Sequence, residues 1–159
     1  MNRVFVRVLA VGTLIGSQLL LSACTTTTSL TAADLVEAKD LDRQFTEAMS
    51  AKSLDAAMAC FWDSPELIVV LFGNVSRGAD AVRGGIAQMF EQNESVRLTV
   101  NEASYVPVGD AVMTVGTATY DLQPKNGPST QIVEVWTDLK RKIGGRWVYV
   151  LDQATIVSR

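Results

Sequence analysis

The chain has 159 residues, 48% of them hydrophobic and 19% charged, which suits one folded domain with a modest core and excludes a disordered or multidomain chain. A formal net charge of −3 argues against nucleic-acid binding, because neutralising phosphates takes a basic face. With no histidine present, Ser-His-Asp triads, Cys-His pairs and histidine metal sites are excluded, and no metal is expected.

Arg3 and Arg7, an apolar run over residues 8–21 and then Leu21-Ser22-Ala23-Cys24 make the three-part layout of a signal peptide. A retained membrane helix fits less well. Crossing the hydrocarbon core takes about 20 apolar residues, whereas this run is shorter, is broken by Ser17 and Gln18, and ends in small residues. Residues 1–23 are therefore expected to be cut off. Leu21-Ser22-Ala23-Cys24 resembles the bacterial lipobox, which implies lipid attachment at Cys24 through several acyl chains such as palmitate, with the lipid bilayer as partner. A single chain would hold only marginally, at about 0.8 kcal/mol per buried methylene. Residues 24–30, containing Thr25-Thr26-Thr27-Thr28-Ser29, have little to bury and read as a tether to the domain at 31–159. By the same resemblance, the lack of an aspartate after Cys24 implies the outer membrane, facing the periplasm. Loss of Arg3 and Arg7 takes the formal charge from −3 to −5. The other cysteine, Cys60, lies in an apolar stretch and reads as a small buried hydrophobe and not a nucleophile.

Thr31 stands three residues before Asp34 in a capping-box arrangement, and Leu41, Phe45, Ala48 and Met49 then repeat on one helical face. Ser53 is placed to cap a short second helix through Phe61, with Leu54, Ala57, Met58 and Phe61 inward and Pro65 as its stop. Residues 66–72 read as a buried strand, turned by Gly73-Asn74. Gly78 precedes a third helix striped by Val82, Ile86, Met89 and Phe90. Gly84-Gly85 inside it costs about 1 kcal/mol per glycine and suggests close packing or local weakness. Four strands are predicted over 96–108, 111–122, 130–143 and 146–157, parted by Gly109-Asp110, a Pro-Gly segment at 124–128 and Gly144-Gly145. Helices first and a strand meander after predict an α+β fold, a curved antiparallel sheet covered on one face by helices.

This order, with Leu41-Asp42-Arg43-Gln44-Phe45, Ser53-Leu54-Asp55-Ala56, Ser76-Arg77-Gly78-Ala79-Asp80-Ala81-Val82 and Gly144-Gly145-Arg146-Trp147-Val148-Tyr149-Val150, resembles the nuclear transport factor 2-like superfamily, and within it the SnoaL-like domains. The resemblance spans about residues 34–157. It implies a cone-shaped, cystatin-like fold whose sheet wraps around the N-terminal helices and leaves a pocket, and a homodimer paired through the sheet. The fold hosts isomerases, dehydratases, cyclases and non-catalytic members, so it does not decide function. Ketosteroid isomerases of the superfamily use a helix tyrosine and two aspartates. Here the tyrosine position falls on Phe45, the proton-transfer aspartate near Val69 or Val70, and the third near Trp136 or Thr137. Many SnoaL-like members also carry histidines where this chain has Leu151-Asp152-Gln153.

Carboxylates, tyrosines and lysines are left as acids and bases, and with no glycine-rich phosphate loop no cofactor is expected. Asp63, at the entry to the first strand, is a candidate general base, although acidic residues in such turns are usually exposed. Glu134, Trp136 and Asp138 share one strand face, and Trp147, Tyr149, Leu151, Gln153 and Thr155 share one face of the next. If Gly144-Gly145 makes a two-residue turn, Trp136 opposes Gln153 and Glu134 opposes Thr155. Such a wall, joined by Tyr120, would contact a ligand; equally, the face could pack on a second subunit. Lys140, Arg141, Lys142 and Arg146 cluster at the hairpin tip as a solvated strand end or a headgroup contact.

The leading expectation is an envelope-anchored module that binds a small apolar molecule or a protein partner without catalysis. The rival is a proton-transfer enzyme of isomerase, dehydratase or cyclase type using Asp63 or Glu134, and the third reading is a structural protein with a collapsed pocket. A carboxylate buried in an open cavity favours the enzyme, and a purely apolar cavity favours binding. For the anchor, Cys24→Ser should release the protein from the membrane fraction. An intact mass showing Met1 retained, or Cys24 first but unacylated, would refute it.

Overall fold

The computed structural model describes residues 30–158, so the expected signal peptide, the lipid site at Cys24 and the tether as far as Ser29 lie outside the described residues. Among the described residues no helix is long and apolar enough to cross a membrane. Helix α1 (Ala32–Ser50) starts as expected: the Thr31 side chain accepts from the Asp34 amide, and the Asp34 carboxylate accepts from the Thr31 amide at 2.9 Å. That reciprocal cap satisfies donors that the first turn cannot. Its inward stripe is Ala38, Leu41, Ala48 and Met49, with Phe45 only partly buried.

Helix α2 (Leu54–Met58) is shorter than expected. Ser53 sits at its N-cap position without a side-chain bond, and beyond Met58 the chain turns extended, pairing Phe61 with Tyr149. Strand β1 (Ile68–Leu71) and an unanticipated β2 (Asn74–Arg77) form a hairpin turned by Phe72 at φ 53° and Gly73 at φ 86°. Two positive-φ residues are what a tight two-residue hairpin needs. Helix α3 (Ala79–Gln92) buries Val82, Ile86 and Phe90. A methyl at Gly84 or Gly85 would meet nothing within 4 Å, so close packing is not the reason for that pair.

Strands β3 (Asn93–Val108), β4 (Ala111–Pro124), β5 (Thr130–Ile143) and β6 (Arg146–Ser158) form the meander. The sheet is six-stranded and curved, in the order β2-β1-β6-β5-β4-β3, and β1 joins β6 in parallel, an exception to the antiparallel expectation. Gly144-Gly145 does make the two-residue turn, since Ile143 opposes Arg146. The partners further along differ from expectation because the register shifts between Lys140–Tyr149 and Leu139–Leu151, leaving Val150 as an extra residue. A bulge of this kind turns every later side chain to the opposite face. Trp136 therefore opposes Ala154 and Glu134 opposes Ile156. Asp152, Ala154 and Ile156 point inward, while Leu151 and Gln153 join Val115 and Val135 on the exposed outer face.

Gly116 faces Trp136 across the ladder, and a Cβ there would run into the Trp136 ring and the Glu102 carbonyl. The missing side chain is what lets the indole lie flat against β4. Gly116→Ala should cost about 1–3 kcal/mol in urea unfolding and change the tryptophan fluorescence. An unchanged midpoint and spectrum would show that the indole does not occupy that place.

Candidate functional site

The helices and the β1–β2 hairpin close over the inner face of the sheet around a cavity of about 340 Å³. Most of its wall is apolar, built from Phe45 and Met49 of α1, Phe61, Val69 of β1, Ile86 and Met89 of α3, and Leu98 and Val100 of β3. A collapsed pocket is thus not what the fold shows. Phe45 and Val69 are on this wall and present only hydrocarbon to the cavity.

Period-two alternation along β5 sends Ile132, Glu134, Trp136, Asp138 and Lys140 to the inner face, all buried. Lys140 has no solvent exposure. Its Nζ lies 2.7 Å from Asp42 Oδ1 and 2.8 Å from Oδ2, donates to Thr114 Oγ1 at 2.6 Å, and is 3.4 Å from Asp138 Oδ2. Asp42 also accepts from the hydroxyls of Tyr149 at 2.6 Å and Tyr105 at 2.7 Å. The same ammonium sits 4.9 Å from the Tyr105 ring centre and 5.4 Å from that of Tyr149, within cation–π range. Asp138 accepts from Trp136 Nε1 at 3.0 Å.

Two carboxyl oxygens on this wall remain without partners. Glu134 Oε2 and Asp138 Oδ1 are buried without a hydrogen bond. Burial pushes Glu134 up to about 7. Burial also lifts Asp138, to about 6, with the Lys140 ammonium pulling the other way. Asp152 is held well above the usual carboxylate range by burial and then by the negative charges of Asp138 and Glu134. Burial raises the Cys60 thiol to about 11, which keeps it an inert hydrophobe.

Of the residues singled out from sequence, Tyr120, Glu134 and Trp136 line this cavity together. Gln153 does not: the bulge turns it outward, and Asp152 takes its place on the wall. Asp63 is exposed and lies in a separate shallow depression with Pro65, Arg77 and Asp80. The expected basic cluster also dissolves. Lys140 is interior, Arg141 pairs with Asp110, and Lys142 pairs with Glu37 at 2.7 Å and Asp34 at 3.2 Å. Asp42, Lys140 and Asp152 were not anticipated as site residues. Lys140 was findable, since period two puts it on the face of Glu134, Trp136 and Asp138.

An unpaired buried acid whose pKa is raised binds its proton more tightly folded than unfolded, so its contribution to stability falls as pH rises. For Glu134 the window runs from its ordinary 4.5 to about 7: the cost is absent below the first value and complete above the second. Glu134→Gln should therefore stabilise the domain by about 1–3 kcal/mol near pH 8, with the gain fading toward pH 5. A difference independent of pH in thermal or urea unfolding would show that Glu134 ionises freely.

A family model described as SnoaL-like domain matches residues 43–150. A nuclear transport factor 2-like superfamily protein from Salmonella enterica superposes with a TM-score of 0.73 at 13% identity, over 80% of this chain and 95% of that one. A ketosteroid isomerase-like protein from Erwinia carotovora gives 0.68 at 16% identity, over 81% of this chain and 100% of the other. A cystatin-like protein of unknown function from Nostoc punctiforme gives 0.67 at 20% identity, over 80% and 94%. At these identities the structures establish the shared fold alone. No match was found among curated proteins. By the family match over residues 43–150 the chain belongs to the SnoaL-like domain family, and its fold is that of the nuclear transport factor 2-like structures it superposes on.

Proposed function

We propose that the domain is a binding module for a small, largely apolar molecule carrying one polar group, held at the cell envelope through acylated Cys24. The observation that carries this reading is the mostly hydrocarbon cavity of about 340 Å³ whose buried wall ends in the unpartnered oxygens of Glu134 and Asp138. Ligand pockets of this size are commonly apolar with a few polar fixtures that set orientation. The anchor is supported by the sequence alone, through the apolar run and Leu21-Ser22-Ala23-Cys24.

Catalysis of the isomerase type needs donors aimed at a developing oxyanion. The strong donors near this wall are already committed: Lys140, Tyr105 and Tyr149 to Asp42, and Trp136 to Asp138. Among the lining residues the neutral Tyr120, Ser76, Asn74 and Gln88 remain, together with Glu134 and Asp152 when they are protonated. By the criterion stated above, a carboxylate buried in an open cavity, one observation favours a second reading, proton transfer by Glu134. Its carboxyl is buried in the cavity, has a free oxygen, and titrates at about 7, where a general acid or base works best.

Organic extraction of the purified full chain, followed by mass spectrometry, should yield a small amphipathic molecule. It should be missing from Val100→Trp, which fills the cavity. Ketosteroid and enol-forming substrates should turn over no faster than background. Turnover that disappears in Glu134→Gln would replace binding with the enzymatic reading, and finding neither molecule nor turnover would reject both.

A further inference from the structure

The inner wall is unbalanced both in charge and in hydrogen bonding. Asp42 from α1, Glu134 and Asp138 from β5 and Asp152 from β6 bring carboxyl groups to the cavity. Among the described residues the one ammonium that answers them is Lys140, and it is committed to Asp42 and Thr114. What remains open is acceptor: Glu134 Oε2 and Asp138 Oδ1 have no partner although their residues are only 5% and 1% exposed. Asp152 stands directly opposite Asp138 in the ladder, where like charges repel. It also feels the charge of Glu134. With Lys140 committed, no cation among the described residues is free to answer these three groups when they are ionised.

Among the described residues no three acidic groups converge closely enough to hold a metal ion. The faces of Trp136 and Tyr120 line the same region, and aromatic faces attract organic cations. We infer that the cavity takes a protonated organic amine, its ammonium drawn to the unpartnered carboxyl oxygens of this wall and its apolar body against Phe45, Val69 and Met89. This rests on the small-molecule reading above and names the class of ligand.

The assignment fixes the sign of a pH dependence. In the empty cavity burial lets Glu134, Asp138 and Asp152 keep protons at mildly acidic pH. An ammonium requires them ionised, so binding expels protons and tightens as pH rises. A neutral hydrogen-bond acceptor would behave the opposite way. The other titratable groups facing the cluster are Asp42 from α1, Tyr105 from β3, Tyr120 from β4, Lys140 from β5 and Tyr149 from β6. The three phenols are held above their ordinary range by burial and stay neutral throughout this window.

Calorimetric titration of the full chain in mild detergent, with 2-phenylethylamine, 2-phenylethanol and phenylacetate as probes, tests this directly. The amine should bind about tenfold more tightly than the alcohol near pH 8, with phenylacetate weakest, and should lose about tenfold in affinity by pH 5. Asp152→Asn and Glu134→Gln, once melting curves show them folded, should flatten that slope. The wild-type comparison decides the matter even if a variant fails to fold. Alcohol or phenylacetate binding as tightly as the amine, or amine binding that strengthens on acidification, overturns the amine assignment and leaves the small-molecule reading standing. Failure of all three probes to bind overturns both.

Discussion

A lysine ammonium buried without solvent contact is the constraint around which the domain is arranged. Taking such an ion out of water costs several kcal/mol even after the protein relaxes, so it persists only where its surroundings replace the lost hydration. Here the replacement comes from across the fold. Asp42 belongs to α1 and Thr114 to β4, while Tyr105 of β3 and Tyr149 of β6 orient the Asp42 carboxylate and lay their rings beside the charge. One side chain from β5 therefore ties the long helix to four strands. Because the cavity is the space left between that helix and that sheet, its shape depends on the same charge.

The network also divides the inner wall into two regimes. Around Lys140 each charge has its opposite close by, as buried ionic groups must. A few residues along β5 this balance is lost, and Glu134 stands in hydrocarbon with no cation beside it. An unmatched carboxyl in a core is a local cost to folding, and such costs concentrate at sites kept for another purpose. The satisfied part supplies the rigidity that lets the unsatisfied part hold its place.

Much of this architecture could be read from residue order. The capping box at Thr31 and Asp34 starts α1, and the glycine pairs place the long hairpins, because cap and turn chemistry are local. Strand β2 escaped because Asn74–Arg77 is mostly exposed, with no alternation to mark it, and because its turn uses Phe72, a residue with no preference for positive φ. Strand periodicity puts Glu134 and Trp136 on one face but does not say whether that face is inner or outer; packing of the helices makes it the cavity wall, with Tyr120 beside them. Asp152 was mistaken for its neighbour Gln153, as a bulge depends on the partner strand and leaves no local mark. Asp42 was lost among the polar residues of α1, and only the tertiary position of Lys140 explains why a carboxylate belongs on the helix's buried stripe.

The extra residue at Val150 makes the lining of the cavity a matter of counting. Beyond it β6 turns Asp152, Ala154 and Ile156 to the inner face, with Asp152 on the cavity wall, and Leu151, Gln153 and Thr155 to the outer face. The strand thus carries two sets of side chains, one with a carboxylate and one neutral, on opposite faces of a single segment. Loss of one residue at the bulge would exchange them with no further substitution, retaining the strand, its neighbours and its composition. In a family whose members share a scaffold and differ in what it holds, the insertion and deletion of single strand residues is a short route between chemistries that point mutation could reach only in several steps.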